Sequence, residues 1–381
     1  MKPKIIIVGG GLAGLTNAII LAKADFEVTL VERKTYPFHR VCGEYISNEV
    51  WPLLKEIGLN PDDFGASKIS KLIISAPNGT QITSDLELGA FGMSRLVLDH
   101  ELYKIALALG VNFILGEKVL DIRFSEEKFE IELSAKNLIA DIVIGAFGKR
   151  SNLDQKLKRP FFYQRSPYVG VKYHIKTAFP SDTIQLDNFK GGYCGLSKIE
   201  SDLYCLCYLA ENKYLKQFGS IKLMEEQILR KNKNLNKIFE SSEFVWNQPE
   251  VINEISFEKK ALVENHILMC GDTAGMIAPL CGNGMAIAIH AANILSHKII
   301  EICNQDFNPK KRTALESAYQ TQWKKEFETR LMIGRGIQRV FGNPYITSYF
   351  ISALKPFPKI IKKIVKQTHG TPLYKNFYIA P

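Results

Sequence analysis

The chain opens on an unbroken apolar run. Positions 5–8 read Ile-Ile-Ile-Val, the pattern of a strand buried on both faces of a parallel sheet. Gly9-Gly10-Gly11-Leu12-Ala13-Gly14 follows, and 15–23 continues as a breaker-free apolar stretch that predicts a helix. A second strand is expected over 27–31, ending at Glu32. Helical periodicity over 95–109 passes through Gly110 into a strand at 111–115, and 119–147 alternates as paired strands, the last over 141–146. Strands such as 168–175 and 203–209 flank a charged helix near 220–232. A strand over 266–270 then meets Gly271-Asp272, a small-residue helix spans 284–302, and the remainder reads as helical. No internal repeat or low-complexity tract interrupts this order.

The first strand–loop–helix carries the most specific chemistry. Gly9, Gly11 and Gly14 make a G-x-G-x-x-G that directly follows a strand and opens a helix, and Glu32 stands at the end of the next strand. That context is what dinucleotide binding demands. The glycines let the backbone turn and approach a diphosphate, which the helix N-terminus stabilises with free N–H groups and its positive dipole end. Glu32 is expected to accept hydrogen bonds from the adenosine ribose. The plain alternative is a tight strand–helix turn without a ligand.

Composition narrows the class. Of 381 residues, 46% are hydrophobic and 23% charged, which excludes a disordered chain and a multi-span membrane protein. No stretch approaches the roughly 20 consecutive apolar residues of a membrane span, and the start lacks the features of a secretory leader. Seven scattered cysteines without a C-x-x-C pair argue against a disulfide framework or a metal site and for a reducing, cytoplasmic compartment. The net charge of +10 is local: nine Lys or Arg and no acid fall within 330–381, leaving 40 basic and 39 acidic groups before them.

Residues 268–290 read LMCGDTAGMIAPLCGNGMAIAIH. This resembles the G-D-A-A-G-x-x-x-P-x-x-G-x-G motif of glutathione-reductase-type flavoproteins, in the branch of aromatic hydroxylases and geranylgeranyl reductases. The resemblance implies that Asp272 binds the flavin ribityl chain. It also implies that the loop and helix start at Pro279, Gly282, Asn283, Gly284 and Met285 meet the pyrimidine end of the ring. A helix dipole with free amides suits the negative charge of a reduced flavin there. Phe38 to Ser47, with Arg40-Val41-Cys42-Gly43, resembles the K/R-x-C-G segment of geranylgeranyl reductases. Met93-Ser94-Arg95 resembles a segment whose Arg lies against the cofactor. Together these imply non-covalent FAD held by Gly9, Gly11, Leu12, Ala13, Gly14, Glu32, Arg33, Arg40, Cys42, Arg95, Gly148, Gly271, Asp272, Pro279, Gly282, Asn283, Gly284 and Met285.

Two departures matter. In Ile144-Gly145-Ala146-Phe147-Gly148, Phe147 replaces the acid of the hydroxylase pattern, a position tied there to diphosphate and nicotinamide contacts. Direct reduction by NADPH is therefore in question, and the donor is left as NADPH or a reduced partner protein. Gly191-Gly192-Tyr193-Cys194-Gly195-Leu196 keeps only the Tyr of the reductases' Tyr-x-Trp-x-Phe-Pro segment, and the halogenase W-x-W-x-I-P motif is missing. Cys42 is a candidate nucleophile or charge-transfer donor, or else a small residue filling a tight loop. Tyr45 and Tyr193 are expected to line the substrate pocket, with proton donation as the alternative. His39 and His290 are read as packing residues.

The expected architecture is α/β: a doubly wound, Rossmann-like FAD-binding domain (1–72, 96–152 and 262–305), an inserted antiparallel substrate sheet (73–95 and 153–261), and a basic helical region (306–381). The expected activity is C=C reduction of a hydrophobic, isoprenoid or polyketide-like small molecule. Aromatic hydroxylation through a flavin hydroperoxide is the alternative. Lycopene-cyclase-like flavoproteins and GDP-dissociation-inhibitor-like binding proteins share the architecture. At the C-terminus, Ile360, Ile361, Ile364 and Val365 fall at helical spacing with Lys359, Lys362, Lys363 and Lys366 on the other positions. That arrangement suits a membrane surface or a helix packed on the body. No groove-reading motif accompanies the charge, which argues against nucleic acid.

Overall fold

A computed structural model describes residues 2–164, 166–253, 255–340 and 343–373. Its first layer is a six-stranded sheet in the order Val263–Glu264, Ile267–Met269, Ile142–Gly145, Ile5–Val8, Val28–Glu32, Asn112–Leu115. All pairings are parallel except that of the edge strand Val263–Glu264. Strand Ile5–Val8 is paired on both edges, and its apolar run is buried throughout. Chain direction across the sheet reverses at this strand, so Gly9 emerges at the topological switch point where such sheets bind ligands.

Helix Leu12–Lys23 packs against Arg95–Ala108 and Gly284–Cys303. The latter is long and apolar enough to cross a membrane by length and composition, but 67% of its most apolar window is buried inside the protein, which makes it a core helix. It packs in turn on the long helix Pro309–Val340, whose Tyr319 hydroxyl donates to the Met269 carbonyl at 2.7 Å.

The second layer is a nine-stranded, mostly antiparallel sheet that includes Tyr45–Ser47, Ser67–Ser75, Gln81–Gly92, Tyr168–Lys176, Thr183–Phe189, Gly192–Lys198 and Tyr204–Glu211. One pair, Thr183–Phe189 with Ser67–Ser75, is parallel. The expected boundary at 72/73 falls inside strand Ser67–Ser75, and Tyr45–Ser47 also joins this sheet, so the first segment of the chain feeds both layers.

Two expectations are corrected. The paired strands over 119–147 divide: Asp121–Ser125, Lys128–Glu132 and Asn137–Ala140 form a separate small sheet, while Ile142–Gly145 enters the parallel one. The helix near 220–232 is two helices, Ile221–Gln227 and Lys233–Ser241. The second starts where the Asn232 side chain accepts from the Asn234 and Leu235 amides while donating to the Asn188 carbonyl. After the long helix, Pro344–Leu354 and Pro358–Thr368 lie across strand Gln81–Gly92. Proline stands at the first position of each of them.

Candidate cofactor and substrate site

A single cavity of about 940 Å³ runs from the glycine loop into the space between the second sheet and the C-terminal helices. Its first arm is built from backbone. A Cβ on Gly9 would sit 2.3 Å from the Ala146 carbonyl oxygen, and one on Gly14 would sit 1.9 Å from that of Gly9. Both glycines are therefore required for the turn itself. Gly11 differs, since a Cβ there would meet only the Arg95 guanidinium at 3.7 Å. Its bareness leaves space on the cavity side, beside Leu12 and Ala13. Helix Leu12–Lys23 has no side-chain cap, so its first N–H groups are presented to that space.

The charged groups around this arm form a chain. The Glu32 carboxylate accepts from the Gly10 amide at 2.8 Å, the Lys34 amide at 3.1 Å and Arg40 Nη2 at 3.1 Å. Arg40 also donates to Asp99 at 3.0 Å, and Asp99 is held by both Arg95 nitrogens at 2.7 Å. Glu32 thus organises the loop, and a carboxylate with about four acceptor sites keeps one for a ligand hydroxyl. Arg33, Arg40, Arg95, Lys149 and Arg150 line the same arm, a cationic environment suited to a diphosphate.

Gly271 and Asp272 enter from the opposite end of the sequence on the short turn Gly271–Thr273. The Gly271 backbone is left-handed (φ +65), and a Cβ there would lie 2.8 Å from the Ala13 side chain, so only glycine brings this turn against the first helix. Arg159, buried and paired to Asp154 at 2.8 Å, donates to the Thr273 carbonyl, and Lys260 donates to that of Asp272 at 2.8 Å. Burial lowers the Lys260 ammonium to about 8 despite the opposing pull of Asp272. Thr273 also accepts from the Gly148 amide at 2.9 Å, which ties the turn to the Phe147 segment. The Asp272, Gly148 and Phe147 positions all face the cavity.

A second uncapped helix start meets the cavity at Gly282, Gly284 and Met285. Asn283 sits behind it, donating to the Thr368 carbonyl at 2.9 Å. The backbone of Pro279 lies in the turn Pro279–Cys281 that leads into this loop. Two uncapped helix starts thus line one channel, one suited to holding a diphosphate and the other to the negative charge of a reduced flavin ring. These residues fit FAD.

Cys42 lines the cavity between the two arms. Its loop is fixed by a buried ionic cluster that sequence spacing did not reveal. Glu44, fully buried, receives Lys172 Nζ at 2.5 Å, the Arg95 amide at 2.8 Å, and stands 2.6 Å from His174 Nε2. Burial pushes the Glu44 carboxyl up, but the Lys172 ammonium and the His174 hydrogen bond outweigh it and hold it at about 2. Lys172 also donates to the Arg40 carbonyl at 3.2 Å, and Cys205 donates to that of Cys42 at 3.3 Å. Glu44, His174 and Cys205 offer ligand atoms within 4.8 Å of one another, but the Lys172 ammonium already supplies the cation there.

The second arm is aliphatic, lined by side chains such as Leu72, Leu86, Ile184, Leu209, Ile361 and Val365. Tyr193 is buried in its wall, and burial pushes its phenol well above the ordinary value. Tyr45 stands at the junction, its ring where a Gly282 Cβ would be (2.9 Å) and its hydroxyl 3.2 Å from His369 Nε2. His369 was not singled out from sequence. His39 lines the cavity and packs edge-on against Trp246 at 4.5 Å. His290 is buried against Phe327, and burial lowers it to about 3.

Residues 2–311 match the family described as FAD binding domain, and this chain belongs to that family. It is 26% identical over 360 residues to digeranylgeranylglycerophospholipid reductase 1 of Methanopyrus kandleri, covering 88% of this chain and 90% of that protein. It is 23% identical over 336 residues to kynurenine 3-monooxygenase of Christiangramia forsetii, covering 77% and 72%. A flavin-dependent brominase structure superposes with a TM-score of 0.78 at 15% identity, covering 97% of this chain and 93% of that one, a likeness of fold. The chain is an FAD-dependent oxidoreductase of the geranylgeranyl reductase and monooxygenase type, with FAD held non-covalently.

Proposed function

We propose that this oxidoreductase saturates carbon–carbon double bonds of a hydrophobic, isoprenoid-type substrate. The observation that carries the reading is the aliphatic arm, continuous with the cofactor arm and lined almost wholly by Leu, Ile and Val side chains around the Tyr45–His369 junction. Bound FAD supplies the electron pair. Saturating one double bond consumes two electrons and two protons, one of which travels with the electron pair. The chain's own residues must exclude water, orient the alkene and deliver the remaining proton. The aliphatic walls do the first two by burying apolar surface. Tyr45 is the hydroxyl at the junction, and we assign that proton to it, with His369 as the group that exchanges protons with it. The Methanopyrus kandleri relative is named for a digeranylgeranyl phospholipid, a hydrophobic substrate.

The test is anaerobic. Dithionite-reduced protein is incubated with a geranylgeranyl lipid and the product weighed by mass spectrometry. The expected product carries two added hydrogens per saturated bond. Recovery of unchanged substrate, or of an isomer at constant mass, overturns the reading. Product that forms only with oxygen and gains an oxygen atom transfers the chain to the hydroxylases.

A further inference from the structure

The two C-terminal helices carry apolar side chains on both faces. Inward, Ile351 and Leu354 of the first and Ile361 and Val365 of the second line the aliphatic arm. Outward, Tyr345 and Tyr349 are 86% and 78% exposed, and Phe357 and Ile360 are 55% and 46% exposed. The helical spacing predicted Ile360 on the same face as Ile361, Ile364 and Val365, but the structure turns Ile360 outward among lysines. A helix that merely roofs a cavity places polar groups on its outer face. Exposed apolar groups gathered on one element mark an interaction surface.

The charge of the same segment selects the partner. Residues 343–373 contain five lysines and no Asp or Glu. Lys362 pairs with Asp85 at 3.2 Å, while Lys355, Lys359, Lys363 and Lys366 point outward with the aromatic groups. A second copy of this chain in a twofold contact would set these lysines against their equivalents, which is repulsive. An anionic bilayer is complementary: tyrosine rings settle at the headgroup level, phenylalanine buries at the acyl boundary, and lysines are drawn to the negative surface.

We propose that the outer face of helices Pro344–Leu354 and Pro358–Thr368 seats this protein on an anionic membrane surface, leaving one helix layer between the bilayer and the aliphatic arm. A lipid-borne substrate then enters by parting this helix pair, without crossing water. The identity of that substrate rests on the reductase reading, whereas the seating does not.

The experiment is co-sedimentation of the full-length, FAD-loaded protein with phosphatidylglycerol-containing or pure phosphatidylcholine vesicles, at low and high salt. Binding to the anionic vesicles at low salt is expected, falling with salt. The variant Tyr345→Ser/Tyr349→Ser/Phe357→Ser is expected to bind at least tenfold more weakly. Lys355→Gln/Lys359→Gln/Lys363→Gln should lose the preference for phosphatidylglycerol. Both should keep the flavin absorbance of the parent, since none of these side chains faces the cofactor arm. Failure of the parent to pellet with anionic vesicles at low salt overturns the proposal, as does equal pelleting of the aromatic variant. So does a dimer, seen by light scattering, that the aromatic substitutions dissociate. Sedimentation needs no turnover, so a failed saturation assay leaves this result standing, and a failed sedimentation leaves the saturation assay standing.

Discussion

The Tyr45 hydroxyl lies 3.2 Å from His369 Nε2, joining residues 324 positions apart at the junction of the cofactor and substrate arms. The opposite ring nitrogen, Nδ1, is 2.9 Å from the Val365 carbonyl, which can only accept. Nδ1 therefore carries the hydrogen, and in the neutral ring Nε2 is the acceptor of the Tyr45 proton. Burial lowers the His369 pKa, which keeps the ring neutral. At rest the phenol donates to the ring, so it gives its proton to the alkene only after leaving Nε2, and Nε2, once it has taken a proton from solvent, returns one to the phenolate.

Tyr45→Phe is expected to lower turnover by about 10²–10⁴-fold, the usual contribution of a positioned proton donor. His369→Asn should reduce it less, because the phenol remains. Single-turnover oxidation of the reduced flavin by substrate measures both. Unchanged rates in Tyr45→Phe, with FAD still bound, would return Tyr45 to simple pocket lining.

What was legible in the chain was local. Gly9, Gly11 and Gly14, then Glu32, then Gly271-Asp272, each sit at fixed offsets from a strand end, and backbone geometry dictates those residue types at those offsets. The Glu44 cluster was not legible, because Lys172 and His174 reach it from 128 and 130 residues away on another strand. The Tyr45–His369 pair escaped for the same reason. Periodicity showed that 359–366 is a two-sided helix, but not that Ile360 would face outward. Which side a residue takes depends on where the neighbouring strand Gln81–Gly92 lies, and a one-dimensional pattern does not contain that.

The glycine loop separates folding from binding. Gly14→Ala forces a Cβ to within 1.9 Å of the Gly9 carbonyl oxygen, so loss of soluble, folded protein is expected. Gly11→Ala makes only an ordinary 3.7 Å contact with the Arg95 guanidinium, so the protein should fold with an unchanged melting temperature when stripped of FAD while losing FAD affinity. Equal FAD affinity in Gly11→Ala and the parent, by fluorescence titration, would remove the diphosphate from this loop.

Glu44 compensates a fully buried ammonium. Glu44→Gln leaves Lys172 unpaired, and a cost of about 3–5 kcal/mol is expected, as for other broken buried pairs. Adding Lys172→Met should recover part of it by removing the orphaned charge. Denaturant melts of the three proteins check this. A double variant no more stable than Glu44→Gln would mean that the lost hydrogen bonds to the Arg95 amide and His174 dominate.

Glu225 gives the fold a dependence on pH. Burial raises its carboxyl from 4.5 to about 7, although the Tyr173 and Tyr208 hydroxyls donate to it at 2.9 and 2.7 Å. The folded state therefore binds this proton more tightly than the unfolded one. Its contribution to stability is complete below pH 4.5 and is lost as pH rises through about 7. Glu225→Gln should flatten that part of the melting-temperature profile. A parent profile that rises steadily between these pH values, with no difference in the variant, would contradict it.

Phe147 bears on how electrons arrive. It occupies the cavity wall between Ala146 and Gly148, where the hydroxylase-like pattern has a carboxylate, and the Gly9 backbone packs so closely that a Cβ there would lie 2.9 Å from the Phe147 Cα. The position is thus fixed in the backbone, and what differs is the side chain: an aromatic ring offers no acceptor to a nicotinamide carboxamide or ribose. The chain has a single G-x-G-x-x-G to hold a dinucleotide. Anaerobic mixing with NADPH should therefore bleach the flavin slowly, while dithionite or a reduced ferredoxin bleaches it fast. Phe147→Asp is expected to speed the NADPH reaction relative to the parent if the ring alone blocks docking. Rapid, stoichiometric bleaching of the parent by NADPH would show that the nicotinamide needs no carboxylate here and that no separate protein donor is required.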